Sequence, residues 1–197
     1  MLSWFFEKRI DAFERSYAYD MSYTREILKL SPGALMKFMR ATEIGKFRQG
    51  VSLEAWYAAG LVAIVAEDCG PCTQLGVTMA ERAGVDPSLI TNVIAGRFDN
   101  LPEPVADTAR FTLATMQRSP EADELRQRVE RHFGRIGVLS IAFRIVAARI
   151  YPTVKYALGY GKACQRITVA GRCVTPDASL KLIEQRVEPT SSHARAV

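Results

Sequence analysis

The sequence contains few residues of the types on which several common functions depend. Histidine occurs twice, as His132 and His193, which leaves little basis for proton transfer through imidazoles. We expect His132 to face solvent in a charged stretch and His193 to lie in a polar tail. No apolar run reaches the ~18 residues of a membrane span. The longest candidate, 138–151, is interrupted by Arg144 and Arg149, so no membrane partner is expected.

Signs of export, of β-structure and of nucleic-acid binding are also missing. The opening residues, Met-Leu-Ser-Trp-Phe-Phe-Glu-Lys-Arg, hold too short an apolar stretch for a signal peptide, so we expect a cytoplasmic protein. Strand-type alternation is absent apart from a short β-like run at 168–174. The net charge is +5, but acidic and basic residues alternate, as in 121–131, and no nucleic-acid motif accompanies them. No nucleic-acid partner is predicted.

Helix start and stop signals recur along the chain instead, and they predict an all-α fold. A capping side chain precedes a proline suited to the first helical turn at Ser31-Pro32, Asp86-Pro87, Ser119-Pro120 and Thr175-Pro176. Gly84, Gly96 and Gly134 fall where C-terminal glycines belong. In the second half we expect helices near 103–118, 120–133, 136–151 and 154–167, with Pro152 ending or kinking the third of them.

The most informative motif is Cys69-Gly70-Pro71-Cys72. Two thiols at this spacing can close an easily reduced disulfide, which suits electron exchange better than stapling a fold. The following run, 73–83, reads as a helix that ends at Gly84. Backbone N–H groups at that helix start favour a thiolate, whereas Glu67 and Asp68 oppose it, so the net effect on the thiols stays open.

Two other interpretations of the cysteines fit less well. Thioredoxins also carry Cys-Gly-Pro-Cys but need a β-strand before it, and Ser52 to Ala66 has helical spacing. A zinc site would have to recruit Cys164 and Cys173, which lack the knuckle spacing, and we interpret both as inert. We therefore expect no metal and no other cofactor.

The residues around the motif resemble a known family. The run Glu-Asp-Cys-Gly-Pro-Cys-Thr-Gln-Leu-Gly-Val-Thr-Met-Ala-Glu-Arg-Ala-Gly-Val-Asp-Pro is followed by Leu89-Ile90, by Ile94-Ala-Gly96 and by an Ala-rich helix after Pro102. This pattern resembles the alkylhydroperoxidase D and carboxymuconolactone decarboxylase superfamily, in which a helix leads into Cys-x-x-Cys at the start of the next helix. The resemblance covers about 53–116 and implies an alkylhydroperoxidase D-like helical bundle more than a particular chemistry.

Two positions depart from the peroxide-reducing members of that family. Those members carry a Glu twelve residues before the first Cys and a His four residues after the second, and here the positions hold Tyr57 and Gly76. The usual proton relay is therefore missing. Candidate substitutes are Glu54, Glu67 and the hydroxyl of Tyr57, which is a poor base near neutral pH. The alternative is that Glu54 is solvated and that Glu67 closes a helix end.

The roles of the two thiols and of Gly76 stay open at this stage. In the relatives the second cysteine attacks, which implies that Cys72 is the nucleophile and Cys69 the resolving thiol. Without the relay, Cys69 becomes the alternative, because we expect it to be nearer the helix end and more exposed. Gly76 either lets another helix pack closely or leaves room for a bulky substrate beside Cys72.

An amphipathic stripe marks the N-terminal segment, with Phe6, Ile10, Phe13 and Tyr17 on one helix face. It can cover the chain's own core, a second subunit or, least favoured, a membrane surface. The family resemblance implies a homo-oligomer. We interpret 1–187 as one domain, with an arm at 1–50, a CxxC core at 51–118 and C-terminal helices at 119–187, followed by a frayed tail at 188–197.

The leading functional hypothesis is a thiol–disulfide oxidoreductase or weak peroxidase, antioxidant in role, that cycles Cys69 and Cys72 with an unidentified thiol donor or disulfide partner. Because the usual relay is missing, disulfide exchange is favoured over peroxide reduction. The alternative is a helical oligomeric binding protein that has lost catalysis. Decarboxylation ranks last, since the sequence offers no acid–base set for it.

Overall fold

A computed structural model of the protein describes residues 2–162 and 166–182, and helices account for most of them. The all-α class is confirmed. The helices are α1 Leu2–Tyr17, α2 Ser22–Leu30, α3 Pro32–Thr42, α4 Leu53–Ala66, α5 Gly70–Arg82, α6 Pro87–Ile94, α7 Glu103–Gln117 and α8 Ala122–Ala157. A small antiparallel hairpin follows, with β1 Ile167–Val169 paired to β2 Arg172–Val174 and Thr168 opposite Cys173.

Several helix boundaries lie where their capping residues predict them. The Ser31 hydroxyl accepts a hydrogen bond from the Ala34 N–H at the start of α3, and the Asp86 carboxylate accepts one from the Ser88 N–H at the start of α6. Gly84, Gly96 and Gly134 all adopt positive φ angles, which glycine reaches at little cost. The break at Gly134 divides the long helix α8, as expected from the predicted helices on either side of it.

Other predicted boundaries are wrong. Pro152 lies inside α8, which ends at Ala157, and the helix predicted over 154–167 does not continue because the chain turns at Gly159, where φ is 79°. Thr175-Pro176 precedes a short 3₁₀ turn capped by Asp177 instead of an α-helix. Ser119-Pro120 likewise stands before the true start of α8 at Ala122.

Helix α4 is the centre of the core. It is apolar on all sides, and ten of its residues, from Ala55 to Ala66, are buried. A helix without a polar face must be covered from every direction, and α5, α6, α7 and α8 all contact it. Its many alanines permit this close approach, and its C-terminal end delivers the chain directly to the Cys69-Cys72 motif.

The N-terminal helices pack on their own chain, which confirms the first of the three alternatives for the α1 stripe. Phe6 and Ile10 of α1 are buried with Leu28 of α2 and Leu35 of α3. Arg25 of α2 reaches back to three acidic side chains of α1, namely Glu7, Asp11 and Glu14. The predicted domain limits stay a prediction, and the tail 188–197, with His193, lies outside the described residues.

Candidate functional site

Cys69 and Cys72 form a disulfide at the start of α5, with their Cα atoms 5.3 Å apart. Cys69 is the N-cap residue and Cys72 lies in the first helical turn. Both are buried, Cys69 at 0% exposure and Cys72 at 5%. The expectation that Cys69 is the more exposed thiol is therefore wrong, because Cys69 belongs to the buried hydrophobic core.

The connection between α4 and the disulfide is held by groups from distant parts of the chain. Glu67 at the end of α4 pairs with Arg149 of α8 at 2.6 Å, and Asp68 pairs with Lys181 at 3.0 Å. The Gly70 N–H donates to the carbonyl of Lys162 at 3.0 Å. The two acids whose charge would oppose a thiolate are thus neutralised by basic side chains.

The sequence interpretation missed a tyrosine and a lysine near Cys72. The hydroxyl of Tyr19, in the connection after α1, lies 3.8 Å from Cys72 Sγ. Since a disulfide sulfur carries no proton, the hydroxyl is the donor. Lys155 of α8 in turn donates from Nζ to the Tyr19 hydroxyl oxygen at 3.1 Å. These three residues form a chain of polar groups that ends on the sulfur.

The protonation of this chain follows from its burial. Desolvation, helped by the neighbouring Tyr23, raises the pKa of Tyr19 far above its ordinary value, so its hydroxyl keeps its proton. Desolvation lowers the pKa of Lys155 below 10.5, which makes its ammonium a stronger acid than an exposed lysine. The ammonium lies over the rings of Tyr19 and Tyr23, at 4.7 and 5.3 Å from their centroids. Tyr19 is therefore suited to pass a proton from Lys155 to an atom at Cys72.

A cavity of about 440 Å³ opens beside Cys72. Helices α1, α2, α3, α4, α5 and α8 all contribute to its wall. Most of its lining is apolar, including Phe13, Leu35, Phe38, Ile64, Leu75 and Met79. Its volume lies within the range of ordinary ligand pockets, and apolar walls with a few polar groups are typical of them.

Arg144 of α8 is the principal charged group deep in this cavity. Its guanidinium stacks on Trp56, with Cζ 4.0 Å from the ring centroid, and lies 5.6 Å from the ring centre of Tyr57. Its Nε is buried without a hydrogen-bond partner among the residues that the structure describes. Burial lowers the pKa of Arg144 to about 10, which still leaves it charged at neutral pH.

Not all the predicted relay substitutes lie near the thiols. Tyr57 is half-buried against Trp56 and Arg144, and desolvation raises its pKa. Glu54 lies in the first turn of α4. It is about 15 Å along the helix axis from Ile64, the residue of α4 that packs next to Gly76 of α5. Glu67 does close the end of α4, as the alternative interpretation expected, and is held by Arg149. Their proposed catalytic roles stay predictions.

Gly76 is a point of close packing between α4 and α5. A Cβ atom at this position would lie 3.2 Å from both Leu61 and Ile64 of α4. The first interpretation of Gly76, close approach of another helix, therefore applies. Gly76 also lines the cavity next to Cys72, so the absent side chain leaves space there as well.

A second group of polar residues lies between α7 and α8, away from the disulfide. Asp107 is buried at 4% exposure and accepts a hydrogen bond from His132 Nε2 at 3.1 Å. His132 is therefore partly exposed, at 22% of its side chain, and its ring bonds a buried carboxylate instead of facing solvent alone as expected. Glu103 lies near enough to complete a possible ligand set, but Arg110 and Arg128 approach Asp107 to 3.9 and 4.0 Å. This positive surround favours a structural ion-pair cluster.

Cys173 is a free, exposed thiol on β2, and Cys164 lies outside the described residues. No helix in 2–162 or 166–182 combines the length and the apolar character that crossing a membrane requires. The chain matches no protein-family model, and comparisons with curated proteins and with solved structures found no match either.

Proposed function

We propose that the protein is a thiol-dependent oxidoreductase that reduces an organic hydroperoxide with an apolar alkyl group at Cys72 and forms the Cys69–Cys72 disulfide as its oxidised state. The observation that carries the proposal is the position of Cys72. Its sulfur lies at an apolar cavity and next to the Tyr19 hydroxyl, while its partner sulfur is close enough to bond. Nucleophile, proton donor, resolving thiol and substrate space thus occur at one place.

The reaction balances as two successive steps. The Cys72 thiolate attacks the distal oxygen of R–O–O–H, the O–O bond breaks, and the leaving alkoxide takes a proton from Tyr19 to give R–OH and a Cys72 sulfenic acid. The Cys69 thiol then attacks that sulfur and releases water as the disulfide forms. A thiol donor supplies two electrons and two protons to restore both cysteines.

Lys155 and Tyr19 take the place of the missing Glu and His. Tyr19 loses its proton only transiently and recovers it from Lys155, whose ammonium is made more acidic by burial. Placing a proton donor at the leaving oxygen is worth roughly 10²- to 10⁴-fold in typical general-acid catalysis. The start of α5 adds N–H groups that favour the Cys72 thiolate.

Burial of both sulfurs favours a small oxidant over a protein disulfide. Exchange with a folded partner needs one sulfur at the surface, and Cys69 and Cys72 are 0% and 5% exposed. The cavity, by contrast, reaches Cys72 from inside the helical bundle. Peroxide reduction is therefore favoured over disulfide exchange, which is the reverse of the preference expected from the sequence.

The wider proposal keeps the expectations that the sequence raised. It places the chain in the alkylhydroperoxidase D-like superfamily, as a cytoplasmic, homo-oligomeric antioxidant enzyme. What supports family membership is the helix–CxxC–helix arrangement of α4, Cys69-Cys72 and α5.

The test begins with the reduction potential of the pair. The protein, with Cys164→Ser and Cys173→Ser to isolate Cys69 and Cys72, is equilibrated across dithiothreitol buffers and its free thiols are counted. We expect a two-electron transition between about −180 and −270 mV, the range of cycling oxidoreductases. Cumene hydroperoxide should then oxidise the reduced protein stoichiometrically, and Cys72→Ser should abolish this. A pair that never closes in any buffer would contradict the proposal.

The second candidate function is a helical binding protein without catalysis. It is favoured by Tyr57 and Gly76, which replace the family's relay residues, and by the apolar cavity, which needs no thiol to hold a ligand. In that case a reduced protein would bind an apolar ligand but leave cumene hydroperoxide unchanged. Cys69→Ser and Cys72→Ser would retain the affinity.

A further inference from the structure

Arg144 is a charge without a counter-ion among the described residues, and it lies at a mostly apolar cavity. None of the ion pairs in the described part of the chain includes it, and its buried Nε has no hydrogen-bond partner there. Trp56 supplies only a ring face, at 4.0 Å. Arg144 as a whole is only half-buried, so a guanidinium stacked in this way can still offer its terminal N–H groups to a carboxylate or a similar anion.

The other charged groups at the cavity are already occupied or lie at its rim. Glu43 and Lys46 pair with each other at 2.6 Å, and both are exposed. Arg9 of α1 is exposed as well. Lys155, just behind the wall, is engaged with Tyr19. Arg144 is therefore the group that an anion inside the cavity would meet.

The other residues that line the cavity indicate what the rest of the ligand is like. The aromatic rings of Phe13 and Phe38 and the aliphatic chains of Leu35, Leu75 and Met79 offer contacts to methylene groups and no hydrogen bonds. Burial of an alkyl chain among such side chains gains roughly 0.8 kcal/mol per CH₂. Met21, Met39 and Met79 are flexible, so the wall can adapt to chains of different shape.

We propose that this cavity binds an aliphatic monocarboxylate, with the carboxylate paired to Arg144 and the alkyl chain lying along the apolar wall toward Cys72. The class of ligand follows from the guanidinium of Arg144 inside the cavity and from a mostly apolar lining. A substrate would be the hydroperoxide of such a carboxylate, and this last step alone rests on the proposed function. Binding itself requires neither thiol.

The experiment measures myristate binding to the full chain through Trp56. The protein has two tryptophans, and Trp4 is exposed, so Trp4→Phe leaves Trp56 as the only reporter. Myristyl alcohol serves as the neutral counterpart of the same chain. Arg144→Met removes the anchor, and Arg144→Lys keeps the charge. Arg126→Met removes an arginine on the same helix that lies outside the cavity and whose side chain is 38% exposed.

We expect myristate to bind about 10- to 100-fold more tightly than myristyl alcohol, which is the size of a charge-assisted contact. Arg144→Met should abolish this difference by weakening the carboxylate alone, Arg144→Lys should restore part of it, and Arg126→Met should leave it unchanged. Equal affinities for acid and alcohol in the parent protein, or no myristate binding, would overturn the inference without the need for any variant at Arg144.

The same titration separates this inference from the proposed reaction. It is repeated on Cys69→Ser/Cys72→Ser, where we expect the same preference for the acid. If myristate binds there and in the parent while cumene hydroperoxide is not reduced, the binding site stands and the proposed oxidoreductase fails. If hydroperoxide is reduced but acid and alcohol bind alike, the anchor role of Arg144 fails and the oxidoreductase stands.

Discussion

Lys155 donates a hydrogen bond to Tyr19, and Tyr19 directs its own hydroxyl at Cys72. Tyr19→Phe should therefore slow oxidation of the reduced protein by cumene hydroperoxide about 10- to 100-fold, because the leaving alkoxide loses its proton donor. The rate is measured by stopped-flow under pseudo-first-order conditions. Tyr151→Phe is the matched control, since Tyr151 also lines the cavity but makes no hydrogen bond to Tyr19 or Lys155 among the described residues. An equal loss in both variants would point to cavity shape as the cause.

The pH profile of the same rate should report Lys155. The rate should rise with pH as the Cys72 thiol ionises. It should fall at higher pH as the Lys155 ammonium loses its proton, because Tyr19 is then no longer reprotonated. Desolvation lowers the pKa of Lys155, so the falling limb should lie below pH 10.5. Lys155→Met should lower the plateau and remove that limb. A falling limb that survives in Lys155→Met would assign it to another group.

Substitutions at Gly76 should separate packing from substrate space. Because a Cβ there meets Leu61 and Ile64 at 3.2 Å, Gly76→Val should lower the free energy of unfolding by about 1–3 kcal/mol. Gly76→Ala should be nearly neutral, since helix propensity offsets part of the contact strain. Urea unfolding of the oxidised protein measures both. Gly33, where a Cβ meets only Ser31 Oγ at 3.7 Å, is the control, and Gly33→Ala should stabilise.

Gly60 controls where Arg144 lies. A Cβ on Gly60 would fall 2.3 Å from the Arg144 Nε, so Gly60→Ala should push the guanidinium off Trp56 without removing its charge. We expect myristate affinity to fall about tenfold and Trp56 fluorescence to change in the Trp4→Phe background. Stability should change little, because the better helix propensity of alanine offsets part of the lost stacking of Arg144 on Trp56. Unchanged fluorescence would mean that Arg144 had not moved.

Arg25 holds α1 over the cavity. It pairs with Glu7 at 2.5 Å and with Asp11 at 2.9 Å, and it also contacts Glu14. Arg25→Met should leave three carboxylates close together on α1 and lower stability by ~1–2 kcal/mol, as expected for a partly exposed network. In Arg25→Met, exchange of backbone amide hydrogens should become faster in α1 than in the parent protein, with a smaller change in α4. Arg15→Met, an exposed change on α1, should leave exchange as it is.

Much of the fold could be predicted because its signals are local. The caps Ser31, Ser52 and Asp86 each bond an N–H two or three residues ahead, so the letters alone carry the information. The prediction failed beyond Ala157, where Gly159 turns the chain and tertiary contacts decide. It also failed for the exposure of Cys69, because burial depends on elements far away in sequence.

The sequence by itself determined the all-α class and the place of the dithiol at a helix start, since periodicity, capping and spacing act over a few residues. Only the tertiary structure decided what surrounds the sulfur. Tyr19 lies 53 residues before Cys72, and Lys155 lies 136 residues after Tyr19. Nothing local distinguishes them from other tyrosines and lysines. The packing of α8 against the N-terminal helices brings them together, and the same packing leaves the buried Nε of Arg144 without a partner among the described residues.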